Sequence, residues 1–242
     1  MASLQALILA GGEGSRLRAD GVADPKPWVR IGARPYIATL IETLLTVGCE
    51  SVSCLIRADE PRVLGELRED FPADRCFVHA CHTPSSLHTL AIGLGVTPPG
   101  PVFCTMVDTV MRPPDWAYVH RSVESLLGEG ADAVLAVTPY AEGDGALYVD
   151  RDPSGWVRAL GETPFGTPIV TGGVYGLSPG VRALAACAVA EGRSRMRSFL
   201  RMLKERGLRV TTIEVEKIVD LDRASDLIAA RDLLAQWENR RS

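Results

Sequence analysis

Residues 7–17 read Leu7-Ile8-Leu9-Ala10-Gly11-Gly12-Glu13-Gly14-Ser15-Arg16-Leu17. The apolar run that begins at Leu4 breaks into glycines, the pattern of a buried strand passing into a tight loop. Glycines placed there let backbone N–H groups approach a polyphosphate, and Arg16 adds a side chain able to grip phosphate oxygens in pairs. Two familiar phosphate loops fail on spacing. A dinucleotide fingerprint needs a third glycine where Leu17 stands, and a Walker loop needs Gly-Lys-Ser/Thr at its end. The plain structural alternative is a strand–loop–helix turn with incidental glycines.

Strand-like and helix-like runs alternate downstream. Pro35 opens a helix with apolar residues at Ile37, Leu40, Ile41, Leu44 and Val47, closed by Gly48. Residues 51–56 predict a strand, 60–69 a helix, 76–80 a strand, 85–94 a helix, and 101–107 a strand running into Asp108. This alternation implies a parallel sheet with helices on both faces. After about residue 130 the texture changes to strand-like runs at 133–138, 147–150, 156–160 and 169–175. Helices near 180–190 and 194–206, a strand at 208–215 and a last helix at 224–234 complete the chain. No linker-like stretch divides it. One domain is expected over residues 1–242, with a nucleotide-binding half over about 1–130 and an acceptor-binding half over about 131–242.

Composition narrows the function classes. A net charge of -4 argues against a nucleic-acid partner. No apolar run approaches the ~18 residues that span a bilayer, so no membrane partner is expected. Six cysteines without a Cys-x-x-Cys pair suit a reduced, cytoplasmic protein. Cys76, His79, Cys81 and His82 alternate faces if extended, which argues against a zinc site.

The glycine loop is followed by Pro25-Lys26-Pro27 and then Ile31-Gly32-x-x-Pro35. The two pieces, in this order, resemble the signature of sugar nucleotidyltransferases, L-A-G-G-x-G-S/T-R-L and then P-K-P. The resemblance implies a GT-A-like, Rossmann-type α/β fold with a mixed, mostly parallel sheet and helices on both faces. It implies that Leu9, Ala10, Gly11, Gly12, Glu13, Gly14 and Ser15 hold the nucleotide, with Arg16 and Lys26 catalytic. Lys26 would bridge the α-phosphate and the acceptor phosphate. Two anionic phosphates must meet for in-line displacement, so positive charge and positioning do most of the work. No general base is required, because a phosphate monoester is largely ionised at neutral pH, its second pKa being about 6.

Such chemistry normally uses Mg²⁺ on carboxylates and phosphate oxygens. Asp108 falls at the carboxyl end of a strand and resembles the family's metal-binding aspartate, with Val107 in place of a glycine. The segment Asp220-Leu221-Asp222-Arg223-Ala224-Ser225-Asp226-Leu227 resembles the late D-x-x-T-P-x-D-L motif, with Ala224-Ser225 in place of Thr-Pro. Asp220 and Asp222 are both metal candidates, Asp220 the preferred one; Asp222 can equally cap the last helix.

Gly172-Gly173-Val174-Tyr175 with Ser178-Pro179 resembles the sugar-binding stretch, so Gly173 and Tyr175 are acceptor-site candidates, together with Gly145 and Glu162 upstream. Thr83, Ser85 and Ser86 stand where relatives carry a Gly-Thr-Ala loop beside the base and ribose, which leaves the nucleobase open. Arg193, Arg195 and Arg197 suit either an acceptor phosphate or, more plainly, a solvated helix face. The expected partners are a nucleoside triphosphate and a small phosphorylated substrate, with homo-oligomerisation open. Three other readings stand beside this one: a cytidylyltransferase acting on a polyol, cyclitol, choline or phosphonate phosphate; a molybdopterin guanylyltransferase, which the Arg16-Leu17 and Gly172 to Pro179 features fit less well; and a catalytically silent nucleotide-binding regulator.

Overall fold

The computed structural model describes residues 3–140, 146–166 and 168–239. The first half runs β1 (Gln5–Ala10), α1 (Ser15–Ala19), a 3-10 turn (Lys26–Trp28), α2 (Tyr36–Val47), β2 (Val52–Arg57), α3 (Pro61–Asp70), β3 (Cys76–Cys81), α4 (Ser86–Val96), β4 (Val102–Met106), β5 (Thr109–Val110) and α5 (Pro113–Gly128). The second half runs β6 (Ala133–Thr138), β7 (Tyr148–Arg151), β8 (Val157–Gly161), β9 (Val170–Leu177), α6 (Pro179–Ala190), α7 (Met196–Glu205), β10 (Val210–Glu214), β11 (Val219–Asp220) and α8 (Ala224–Asn239).

The main sheet has the strand order β10-β6-β9-β4-β1-β2-β3. β9 runs antiparallel to both β4 and β6, while the other neighbours along this path are parallel. The hairpin of β7 and β8 joins through β9. β1 is buried along its whole length, and its side chains divide by parity between two cores. Ala6, Ile8 and Ala10 face the side covered by α2, α3, α5 and α8, whereas Leu7 and Leu9 face α4, α6 and α7. A strand buried on both faces has no polar positions to spare, which is why these runs are continuously apolar rather than alternating.

Helix ends follow local chemistry. α2 stops where Gly48 adopts φ 116° and returns its N–H to the Leu44 carbonyl, a left-handed cap that glycine takes without steric cost. α5 is an element the sequence reading did not assign. Its signal was present: two prolines in its first turn, then Trp116, Val119, His120 and Val123 buried at helical spacing. Among the described residues, no helix is long and apolar enough to cross a membrane.

Candidate active site

The carboxyl ends of β1 and β4 lie side by side, with the Val107 N–H donating to the Leu9 carbonyl at 3.1 Å. That pairing brings Asp108 beside the start of the glycine loop, at the edge where open α/β sheets receive ligands. A second, two-stranded ladder pairs β11 with β5 and sets Asp220 opposite Thr109. The Leu221 N–H donates to the Asp108 carbonyl at 2.9 Å, so residues from distant parts of the chain converge on one spot. Tyr36, buried in α2, donates its hydroxyl to the Thr109 carbonyl at 2.7 Å and anchors this ladder from below.

Lys26 lies at the centre. Its ammonium is 2.5 Å from Asp108 and 2.7 Å from Asp222, and Arg16 reaches the other Asp222 oxygen at 3.2 Å. Burial alone would push the lysine down, but the carboxylates of Asp108 and Asp222 prevail and hold it above the usual lysine range. For Asp222, burial acts upward and is outweighed by Lys26 and Arg16, which lower it. Asp222 therefore spends its carboxylate on these cations rather than on capping α8. At the start of α8 the Ala224 N–H donates to Asp20 at 3.1 Å, while Asp226 accepts from the Asp222 and Arg223 N–H groups just before the helix at 2.8 and 2.7 Å.

Asp220 is raised above the ordinary carboxylate range, first by desolvation and then by the Asp108 charge. Asp220 lines the cleft and is exposed to it. Its nearest polar neighbour is the Thr109 hydroxyl, 3.5 Å away, a contact at the outer limit of a hydrogen bond. Two carboxylates held close, one of them short of partners, form an oxygen-only donor set of the kind hard divalent cations accept. The residues present thus fit Mg²⁺.

A cleft of about 560 Å³ opens above these groups. Arg16, Asp108, Asp220 and Asp222 line it on one side, and Gly173 and Tyr175 on another. Gly173 has φ 73°, and a β-carbon there would collide with the Thr109 hydroxyl and stand 3.6 Å from Asp220. An adjoining cavity of about 280 Å³ is lined by Leu9, Gly11, Gly12, Glu13, Thr83 and the Ser85-Ser86 pair, among others. A β-carbon on Gly11 would fall 2.9 Å from the Thr89 hydroxyl, so the loop descends here as only glycine allows. Gly14 caps α1 from the preceding position at φ 61° and packs over the Lys26 side chain.

Among the sequence-derived candidates, Ala10 ends β1 beneath the loop and Ser15 begins α1; neither lines these cavities. Glu162 also stands off the cleft and pairs with Arg201 at 3.3 Å. Gly145 lies outside the described residues. Of the three arginines, Arg193 is held by Glu191 and Glu205, whereas Arg195 and Arg197 line the cleft. Sequence reasoning missed Arg57, which bounds the smaller cavity 3.7 Å from Glu13, and the Tyr36–Thr109 support. The alignment of Arg57 with the loop follows only from the parallel pairing of β1 with β2.

The sequence matches the family described as the MobA-like NTP transferase domain over residues 6–210. Over 184 residues it is 25% identical to the mannose-1-phosphate guanylyltransferase catalytic subunit beta of Drosophila pseudoobscura pseudoobscura, covering 73% of this chain and 48% of that protein. The chain spans about half the length of the curated relatives it matches. Among solved structures, the inositol-1-phosphate CTP transferase from T. maritima superposes with a TM-score of 0.75 at 16% identity, over 96% of this chain and 97% of that one. A UDP-glucose pyrophosphorylase complexed with UDP-glucose gives a TM-score of 0.75 at 15% identity, over 98% and 100%. Identities this low show the shared fold.

Proposed function

We propose that this chain, which belongs to the MobA-like NTP transferase family, joins a nucleoside triphosphate to a sugar 1-phosphate and releases pyrophosphate. One observation carries the reading: Lys26 stands between Asp108 and Asp222 directly under Gly14 of the glycine loop, and those two carboxylates line a cleft that continues to Gly173 and Tyr175. A lysine held charged and immobile by flanking carboxylates is preorganised for charge developing on a phosphoryl group.

In the proposed reaction an oxygen of the acceptor phosphate attacks the α-phosphorus in line. A new P–O bond forms, the bond from the α-phosphorus to the bridging oxygen breaks, and pyrophosphate leaves with that electron pair. The backbone N–H groups of Gly11 to Ser15 and the Arg16 guanidinium hold the triphosphate tail. Lys26 faces the α-phosphate, and Asp222 keeps both cations aligned. Asp108 and Asp220 would hold Mg²⁺, which supplies positive charge to the phosphate oxygens. The cavity beside Thr83, Ser85 and Ser86 takes the base and ribose, and Gly173 and Tyr175 flank the acceptor.

The test is pyrophosphate release with Mg²⁺, crossing ATP, GTP, CTP, UTP and dTTP with sugar 1-phosphates and alcohol phosphates. GTP with mannose 1-phosphate comes first, because the curated relatives carry that name. A productive sugar 1-phosphate pair is the expected result. Turnover confined to CTP and an alcohol phosphate would replace the sugar with a polyol or cyclitol acceptor. Nucleotide binding without turnover on any acceptor would support the regulator, and absence of nucleotide binding would overturn the reading of the loop.

A further inference from the structure

The cations near Lys26 are already engaged. Lys26 is bound by two carboxylates, Arg16 by Asp222, and Arg223 stands 3.8 Å from Asp20. The same cleft is lined by four aspartates, Asp108, Asp220, Asp222 and Asp226. An incoming dianion therefore meets an acidic floor whose positive charges are compensated. Arg195 and Arg197 line this cleft, and neither guanidinium has a hydrogen-bond or ion-pair partner among the described residues. An arginine that pairs with nothing while facing an acidic cleft is placed for a ligand rather than for the fold.

Their backbone is fixed from the nucleotide side. The Met196 N–H donates to the Ser86 hydroxyl at 3.2 Å, and the Leu87 N–H donates to the Ser194 carbonyl at 3.3 Å. The Ser85 hydroxyl donates to the same Ser194 carbonyl. Ser85 and Ser86 line both cavities, so these bonds set the two arginines at the seam between them. A nucleotide in one cavity and an acceptor in the other would meet at that seam. Met196 and Phe199 bury the first turn of α7 in the core, which gives the pair a rigid base.

Resting on the proposed function, we infer that Arg195 and Arg197 form the grip for the acceptor's phosphate group. Two unpaired positive charges match one phosphate monoester, which carries about -1.5 to -2 at neutral pH. Lys26 is then left to the α-phosphate alone. The acceptor class is a compact phosphate monoester whose anionic end reaches the seam while its body lies toward Gly173 and Tyr175.

Calorimetric titration with two probes, inorganic phosphate and inorganic tripolyphosphate, tests the assignment on the full chain. Phosphate affinity is expected to fall at least about tenfold in R195Q/R197Q, and by less in each single variant. Tripolyphosphate affinity is expected to hold in R195Q/R197Q and to fall in R16Q, which reports on the glycine loop separately. R195K/R197K should recover part of the phosphate affinity, since it restores charge without the paired donors. Unchanged phosphate binding in both single variants and the double variant, or no saturable phosphate binding by the unaltered protein, would overturn the inference. Loss of tripolyphosphate binding in R195Q/R197Q would overturn it as well, by showing that the pair serves the triphosphate. Insensitivity of tripolyphosphate to R16Q would instead count against the proposed nucleotide site and leave the arginine result to stand on its own.

Discussion

At the residue scale, the site is governed by how charge and backbone space are shared. Lys26 is caught between two acids, and its removal takes away positive charge at the point where the transferred phosphoryl group would sit. Lys26→Ala is expected to lower turnover by about 10²-fold or more while the circular dichroism spectrum stays unchanged. Near-normal turnover would strip Lys26 of its role. The glycines divide in the same way. Gly173→Ala forces a side chain into φ 73° and against Thr109, so a loss of about 1–3 kcal/mol should appear in urea unfolding. Gly12 is different, because a β-carbon there meets nothing within 4 Å. Gly12→Ala should leave stability alone and weaken nucleotide binding, since the loop's outer surface is where phosphate would approach. A matching stability loss in both variants would show that the two glycines are not distinguished in this way.

Among the elements, α5 carries a buried titratable group that the proposed chemistry does not use. Both nitrogens of His120 lack a partner among the described residues, and its ring packs 5.8 Å from Phe103. Burial draws its pKa below the ordinary value; Glu124 acts upward and Arg121 downward. The unfolded chain, with a histidine pKa of about 6.5, then binds more protons than the folded one. Its stabilising contribution is complete above that pH and is lost as the pH falls below it. Between about pH 7 and 5 the melting temperature of His120→Leu should therefore gain on that of the unaltered chain, while the raised Asp220 acts in the opposite sense on both. His79 is also lowered, by burial and then by Arg68, and acts in the same sense as His120 on both. An identical slope in the variant would clear His120 of the effect. The visibility of elements in the sequence followed their length and periodicity. β1, α2 and β4 are long apolar or helical runs, so their places could be read directly. β5 and β11 are two residues each and leave no period, although their pairing sets Asp220 opposite Thr109. The Lys26–Asp222 contact joins residues 196 positions apart and depends on the whole sheet being in place. The carboxylates could be nominated from their motifs, but which of them would bind the lysine could not. Arg195 and Arg197 read as a solvated face because nothing local shows that α7 begins at the mouth of a cleft.

Across the whole molecule, β9 ties the two halves into one sheet. It comes from the second half, yet it lies between β4 of the first and β6 of the second. Unfolding one half exposes a central strand edge of the other, so the two should melt together. Tryptophans occur in both, at Trp28 and Trp116 and at Trp156 and Trp237. Fluorescence and far-ultraviolet dichroism should accordingly trace one coincident urea transition. Separate midpoints would mean that the halves are independent folding units.

The inserted strand also bears on how the chain can be cut. A break near Gly130, between α5 and β6, yields two pieces that each lack a central neighbour, and the missing edge of one is the exposed edge of the other. Their fit is written in the register of Val102–Thr105 against Val174–Leu177. Lys26 and Asp108 travel with the first piece, Asp220 and Asp222 with the second. If the proposed reaction holds, co-expressed fragments are expected to be silent apart and to regain turnover only where a tether or a shared compartment lets the strand find its slot; turnover by either fragment alone would refute this.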